Sequence, residues 1–351
     1  MKKVLAVIVS VFSLMCLLIS CSNDSTLDEV FNATVTFDGN GATAGEMTVQ
    51  TVGLGKEARL NANSFEKTDF DFVGWNTESD GSGKPYEDGQ RIKVAGNITL
   101  YAQWEIIPII LDSSMDEWTN GNVYILNSDV TIGDRIDVLG SVTLVLSDGF
   151  TLTASDGISV NGGNTLTINA NGAGTGILET TGNGGDAGIG GYDNYNCGTI
   201  IINGGTVNAS GDGGGAGIGG GRHGNGGTIV INGGTVSARS ETGGATGAGI
   251  GGGRSESGGT ITINGGIVNA VSRNGAGIGG GNQGSGGIIT INGGTVNASA
   301  DSGLSGIGKG VSGDSDGTLT LGKGVALQVS HNNTDWSDYD ETTRQKYMRT
   351  K

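Results

Sequence analysis

Few side chains in this 351-residue chain are placed to do chemistry, and they fall into three groups. The first is a single thiol, Cys21, at the end of an apolar run from Val4 to Ile19 that follows Lys2 and Lys3. Its thiolate is a nucleophile open to alkylation. The second is Arg222, Arg254 and Asn282, which stand at one position of successive repeats, each followed by a polar residue: His223, Ser255 and Gln283. Guanidinium groups stacked in this way grip carboxylates or hydroxyls of an extended sugar chain. The competing reading makes them solvated loop residues on a corner that needs solubility. The third is aromatic: Tyr192, Tyr195 and Trp118 are platforms for sugar rings, or else structural. Catalysis has little support. His223 and His331 lie far apart in sequence, and Asp193, Asp212, Glu241 and Glu256 scatter over different corners of the repeat. No calcium-binding GGxGxD array occurs. The expectation is no cofactor, no metal and no enzyme.

The elements that position these groups are repeats. The core copies read GTIIINGGTVNAS (198–210), GTIVINGGTVSAR (227–239), GTITINGGIVNAV (259–271) and GIITINGGTVNAS (287–299). Each is followed by a short hydrophilic stretch and then AGIGGG or a close relative. Self-similarity at this period marks a solenoid. In the unit 199–220, Ile200 and Ile202 share one strand face, and Asn203-Gly204-Gly205 turns the chain. Val207 and Ala209 point inward next, and Ala216 and Ile218 after a loop. That is three short strands per unit, each with two inward residues. Stacking sets Ile202 under Ile231, Ile263 and Ile291, and Val207 under Val236, Val268 and Val296. Ile189, Ile218, Ile250, Ile278 and Ile307 form a third column. No unit buries its face alone, so stacking is obligatory. The result is an all-β, parallel β-helix over 118–330, expected to be right-handed. Seven or eight coils at about 4.8 Å each stack to roughly 35–40 Å. Unit length varies at one corner only: the inward Ala precedes the next AGIGG by 7, 10 and 6 residues in successive units. Asn203, Asn232, Asn264 and Asn292 recur once per coil and read as a structural ladder of amides rather than a binding ladder. The tail 331–351 breaks the pattern and reads as a polar cap with a short helix.

The opening 21 residues read as an export signal, because 16 apolar residues fall short of the about 20 that span a membrane. Leu18-Ile19-Ser20-Cys21 resembles a bacterial lipoprotein lipobox. The resemblance implies cleavage before Cys21 and lipidation of its thiol and new amino group. Segment 22–32 is then a tether. Cys197 is left without a disulfide partner, so stability must come from stacking and packing.

Residues 33–105 are β-patterned. Val35 and Phe37 alternate with polar residues ahead of the turn Asp38-Gly39-Asn40-Gly41, and Ile98, Leu100, Ala102 and Trp104 alternate at period two. Val35-Thr36-Phe37-Asp38, Phe72-Val73-Gly74-Trp75-Asn76-Thr77, Asp80-Gly81-Ser82-Gly83, Tyr86 and Leu100-Tyr101-Ala102-Gln103-Trp104 stand in the order and spacing of the Listeria–Bacteroides repeat, the internalin-type B-repeat. The segment strongly resembles that family, which implies a small β-grasp domain of exported proteins that serves as a spacer or interaction module. Asp69-Phe70 departs from the Gly-Tyr usual there. Trp75 and Trp104 read as core. Segment 106–117 is expected to be a linker. The Gly-rich array itself resembles repeat regions of exported proteins from anaerobic bacteria and, more broadly, carbohydrate-binding β-helices related to pectate lyases.

Charge narrows the partners. Residues 21–181 carry 7 Lys+Arg against 23 Asp+Glu, and residues 182–330 carry 6 against 8. An acidic front and a nearly neutral array do not bind nucleic acid, and they approach a membrane only through the lipid. The sequence thus leads to an envelope-anchored surface lipoprotein, at the outer membrane or cell surface, in adhesion or extracellular binding. An extracellular glycan is the first partner class and a surface protein the second. A purely structural envelope module and a polysaccharide lyase or hydrolase are the alternatives; a clustered Asp/Arg patch would raise the last.

Overall fold

The structure is a computed structural model that describes residues 31–240, 244, 246–300, 306–323, 325–330 and 336–338. The apolar leader, Cys21, most of the tether and His331 lie outside them. The chain divides into two compact units between Ile106 and Ile107. All regular elements among the described residues are strands.

The first unit has seven strands: β1 (Asn32–Asp38), β2 (Gln50–Gly53), β3 (Glu57–Arg59), β4 (Phe70–Asn76), β5 (Pro85–Tyr86), β6 (Arg91–Lys93) and β7 (Ile98–Ile106). Its main sheet runs β2-β1-β7-β4-β5, and β3 pairs with β6. The first and last long strands, β1 and β7, are parallel neighbours inside the sheet, the β-grasp trait. Alternation buries Val35, Phe37, Leu100 and Ala102 on one face. Trp75 closes that face, 1% exposed, against Phe37 at 4.9 Å and Phe72 at 5.0 Å between ring centroids. Trp104 packs on the same core and donates its indole N–H to the Gly39 carbonyl at 2.9 Å. Asp69 adopts φ 64°, which accounts for the glycine usual at that place in the family.

The second unit is a parallel β-helix with three sheets. The first face holds nine strands, from Ile109–Ile110 to Thr318–Leu321, and the third face eight, from Glu117–Thr119 to Ile307–Gly308. The second face holds nine, from Val130–Ile132 to Trp336–Asp338. Within the repeats the register is residue on residue: Ile202 pairs with Ile231, Ile231 with Ile263 and Ile263 with Ile291. These isoleucines are fully buried, as are Val207, Val236, Val268 and Val296. Each contributes about 1.5–3 kcal/mol relative to exposure. Along the outer edge of the first face, Asn203, Asn232, Asn264 and Asn292 each donate a side-chain N–H to the amide oxygen of the Asn one coil earlier, starting at Asn169, at 2.7–2.8 Å.

Two expectations about extent need correction. Segment 106–117 is not a linker. Ile109–Ile110 pairs in parallel with Tyr124 and Ile125, and Leu111 is buried in the solenoid core, so the first coil begins there. In the expected cap, Trp336–Asp338 forms a strand, antiparallel to Ala326–Ser330. The other residues of the 331–351 tail lie outside the described set. These additions carry two of the faces to nine strands.

Candidate functional site

The third face carries the candidate site at its corners. In the repeats its strands are Ile-Gly pairs, and the glycine is obligatory: Gly219 has φ 140°, and a Cβ there would overlap the carbonyl oxygen of Gly251 in the next coil. After each pair a tight turn closes, Gly224 N–H to the Gly221 carbonyl at 2.8 Å in one coil and Glu256 N–H to the Gly253 carbonyl at 3.0 Å in the next. The coil before them closes the same turn from Tyr195 N–H to the Tyr192 carbonyl at 2.9 Å, with Asn194 at φ 69°. Tyr192 thus stands where the next two coils have Gly221 and Gly253, Tyr195 where they have Gly224 and Glu256, and Asp193 falls directly before Arg222, Arg254 and Asn282 in one column.

That coil gathers charge from its neighbours. Arg135 enters from the start of Ile136–Leu139, two coils earlier, and is 8% exposed. Its guanidinium donates to the carbonyls of Asp156 at 2.8 Å, Ala187 at 3.0 Å and Ile158 at 3.4 Å, and lies 3.8 Å from the Asp186 carboxylate. The Tyr192 ring covers it, 4.8 Å from centroid to guanidinium carbon. The Tyr192 hydroxyl donates to Asp137 at 2.9 Å. Burial, then the hydrogen bond and charge of Asp137, pushes the phenol up to about 12, so it stays a donor. Burial also raises Asp186, against the opposing pull of the Asp193 N–H and Arg135. Tyr195 meets Tyr192 edge to face at 6.4 Å and is 57% exposed.

Arg222 comes from the following coil. It donates to the carbonyls of Gly213 at 2.7 Å and Gly184 at 3.0 Å and stands 3.8 Å from Asp193. Its donors are engaged with its own protein, which corrects the picture of a guanidinium held ready for a ligand. Arg254 is exposed, and Asn282 is half-buried with its amide toward the Asn274 carbonyl at 3.5 Å. The column is real, but it does not form a row of guanidinium groups beside the aromatic pair. Trp118 is a further correction. It is fully buried, stacked 5.2 Å from Tyr124, and gives its indole N–H to the Met115 carbonyl, because it points inward from Glu117–Thr119. It is no sugar platform.

Sequence reasoning missed Arg135, Asp137, Asp156 and Asp186. They precede or sit in degenerate coils, where no repeat marks equivalent positions. The available signal was the alignment of AGIGGYDNY with AGIGGGRHG, which isolates two tyrosines on glycine positions. The four carboxylates and two guanidinium groups form the Asp/Arg cluster that the sequence left open. Among the described residues, no three His, Cys, Asp or Glu side chains come together to hold a metal ion. Cys197 is buried and free, its thiol pushed up to about 12 by burial. The first unit offers a surface cleft lined by Val73, Trp75, Tyr86, Glu87, Gln90 and Gln103, without a histidine or cysteine.

Residues 34–103 match the family described as the Listeria-Bacteroides repeat domain. Residues 200–222, 229–254, 261–282 and 289–308 match the beta helix repeat. Among curated proteins, the chain is similar to a "Putative Gly-rich membrane protein" of Evansella cellulosilytica, 37% identical over 91 residues, which is 24% of this chain and 10% of that protein. It is also similar to a "Putative membrane protein" of the same organism, 34% identical over 77 residues, 21% of this chain and 11% of that one. The matches span about a tenth of each relative's length. No solved structure matches the chain.

Proposed function

We propose that this protein is an exported envelope protein, anchored by lipid on Cys21, whose β-helix binds an extracellular glycan at the Tyr192–Tyr195 corner. The observation that carries this reading is Tyr195. A large ring is kept 57% exposed, against a second tyrosine that Asp137 and Arg135 hold in place, at a turn position that Gly224 and Glu256 take in the next two coils. An exposed aromatic on a rigid mount, ringed by a few polar groups, suits stacking on a sugar face. The relatives named as membrane proteins support an envelope location, and the repeat architecture supports a binding surface more than a reaction centre.

The test is a glycan panel on residues 22–351. Saturable binding that Tyr195→Ala abolishes without lowering the melting temperature supports the reading. A folded protein that binds no glycan sinks it in favour of a structural or protein-binding module. Membrane partitioning of the full precursor is expected to disappear in Cys21→Ala; unchanged partitioning overturns the anchor. A second reading, glycan cleavage, draws on the raised carboxyl of Asp186 in a cluster with other carboxylates. It requires release of shortened or unsaturated products that stops in Asp186→Asn.

A further inference from the structure

The Tyr192 corner opens from the third face of the solenoid, and the first face plays no part in glycan binding there. Six strands of the first face, Thr165–Ala170, Thr199–Ile202, Thr228–Ile231, Thr260–Ile263, Ile288–Ile291 and Thr318–Leu321, lie side by side in parallel. They pair residue on residue, so the first and third residue of each strand form two outward columns. Every side chain in both columns is β-branched: threonine throughout, except Ile201, Val230 and Ile288. Thr228, Thr260, Ile288 and Thr318 are exposed, and the other outward residues of the columns are half-buried. Among the described residues, no hydrogen bond to the protein engages these threonine hydroxyls. The six strands carry no Asp, Glu, Lys or Arg, in a chain of net charge −16. The asparagine ladder runs beside them and fixes the spacing from coil to coil.

The first face is thus a regular, uncharged array of methyl and hydroxyl groups. Like side chains on neighbouring strands stand about 4.8 Å apart, and residues two apart on one strand about 6.6 Å apart. Oxygen atoms in hexagonal ice recur at a repeat a few tenths of an ångström shorter than the first spacing, and at another somewhat longer than the second. We propose that the first face binds ice. Its methyl groups, on side chains stiff at χ1, restrict the orientation of the water over them. The hydroxyls between them anchor that water by donating and accepting hydrogen bonds. A water layer ordered near the lattice spacing joins the crystal, and growth stops where the protein sits. Other occupants fit less well. A charged partner finds no counter-charge. A sugar finds no aromatic ring to stack on. A second copy would cover roughly 350 Å² with six strands of four residues, under half of the about 800 Å² per partner of a specific interface.

The protein without its leader, residues 22–351, is cooled in dilute buffer beside a seed crystal, and the freezing and melting points of the ice are read separately. A gap between the two points, faceted crystals and slowed recrystallisation are expected. Thr260→Lys sets a long charged chain in the middle of the exposed column and should abolish the gap while the protein unfolds at an unchanged temperature. Thr228→Lys, at an equally exposed place, makes the same test where the first variant does not fold. Ser237→Lys on the second face and Tyr195→Ala should both keep the gap, the latter separating this activity from glycan binding. A folded protein that produces no gap and leaves recrystallisation unslowed overturns the proposal. So does a gap that survives both substitutions on the first face. A dimer in sedimentation that Thr260→Lys dissociates means that a second copy occupies the face, and overturns it as well.

Discussion

Arg135 ties three coils together with one guanidinium, bonded to carbonyls of the two coils that follow its own and covered by Tyr192. Removing it strands Asp186 and three buried carbonyls. Arg135→Ala is therefore expected to cost about 3–5 kcal/mol, read as a fall in the urea midpoint with an unchanged slope; a shift under 1 kcal/mol, roughly the worth of a surface pair, counts against the staple. Cys197 makes a separate prediction. Its thiol is buried and pushed up to about 12, and after removal of 1–21 it is the only cysteine. Thiol reagents at neutral pH should label it only on unfolding, and fast labelling of the native protein would show the site to be open. At this scale the sequence was read unevenly. Tyr192 and Tyr195 were visible as aromatics in a polar loop. Trp118 was misjudged because residue type gives no direction, although its place between Glu117 and Thr119 already pointed inward by alternation. Arg135 was illegible: a single arginine beside a strand reads as solvated, and only the fold shows which carbonyls surround it.

Strands and turns of the solenoid were the most legible elements, because each unit repeats the evidence of the last. The inward columns and the asparagine ladder follow from aligning four copies, and the structure places both in register. Extent was less legible. Ile109–Ile110 escapes the pattern because the first coil lacks a strand on the second face, so its rhythm is broken where alignment is weakest. Glycine in the AGIGG strands does two things at once, supplying a positive φ and letting adjacent backbones approach. Gly219→Ala violates both, whereas Gly133 has open space around its would-be Cβ and no positive φ. Gly219→Ala should lower the melting temperature by many degrees or prevent folding. Gly133→Ala should leave it unchanged or slightly raised, since it only narrows the unfolded ensemble. Equal effects of the two would mean that glycine count, not backbone stacking, sets stability.

The two units hold themselves together in different ways, and this predicts how damage spreads. The first closes around a single aromatic cluster in which distant strands pair, β1 with β7, so it stands or falls as a whole. The second is a chain of like interfaces in which, apart from the Arg135–Tyr192 staple across three coils, the strands of each coil pair only with those of its neighbours, so stability adds coil by coil. Ile263→Asp puts an unpaired charge at a position with no solvent exposure, between Ile231 and Ile291. A buried carboxylate without a partner costs several kcal/mol, and here it breaks two interfaces at once. Hydrogen exchange is expected to rise first in strands 228–231, 260–263 and 288–291 and to fade with distance along the stack. The Trp75 core should keep its protection because it is a separate cluster built from the first unit's own residues. Uniform loss of protection from residue 109 to residue 321 would mean that the coils fold as one cooperative block. Spreading that halts within a coil or two would mean that the Tyr192 corner, two coils away and braced by Arg135, keeps its geometry after the middle of the solenoid has opened.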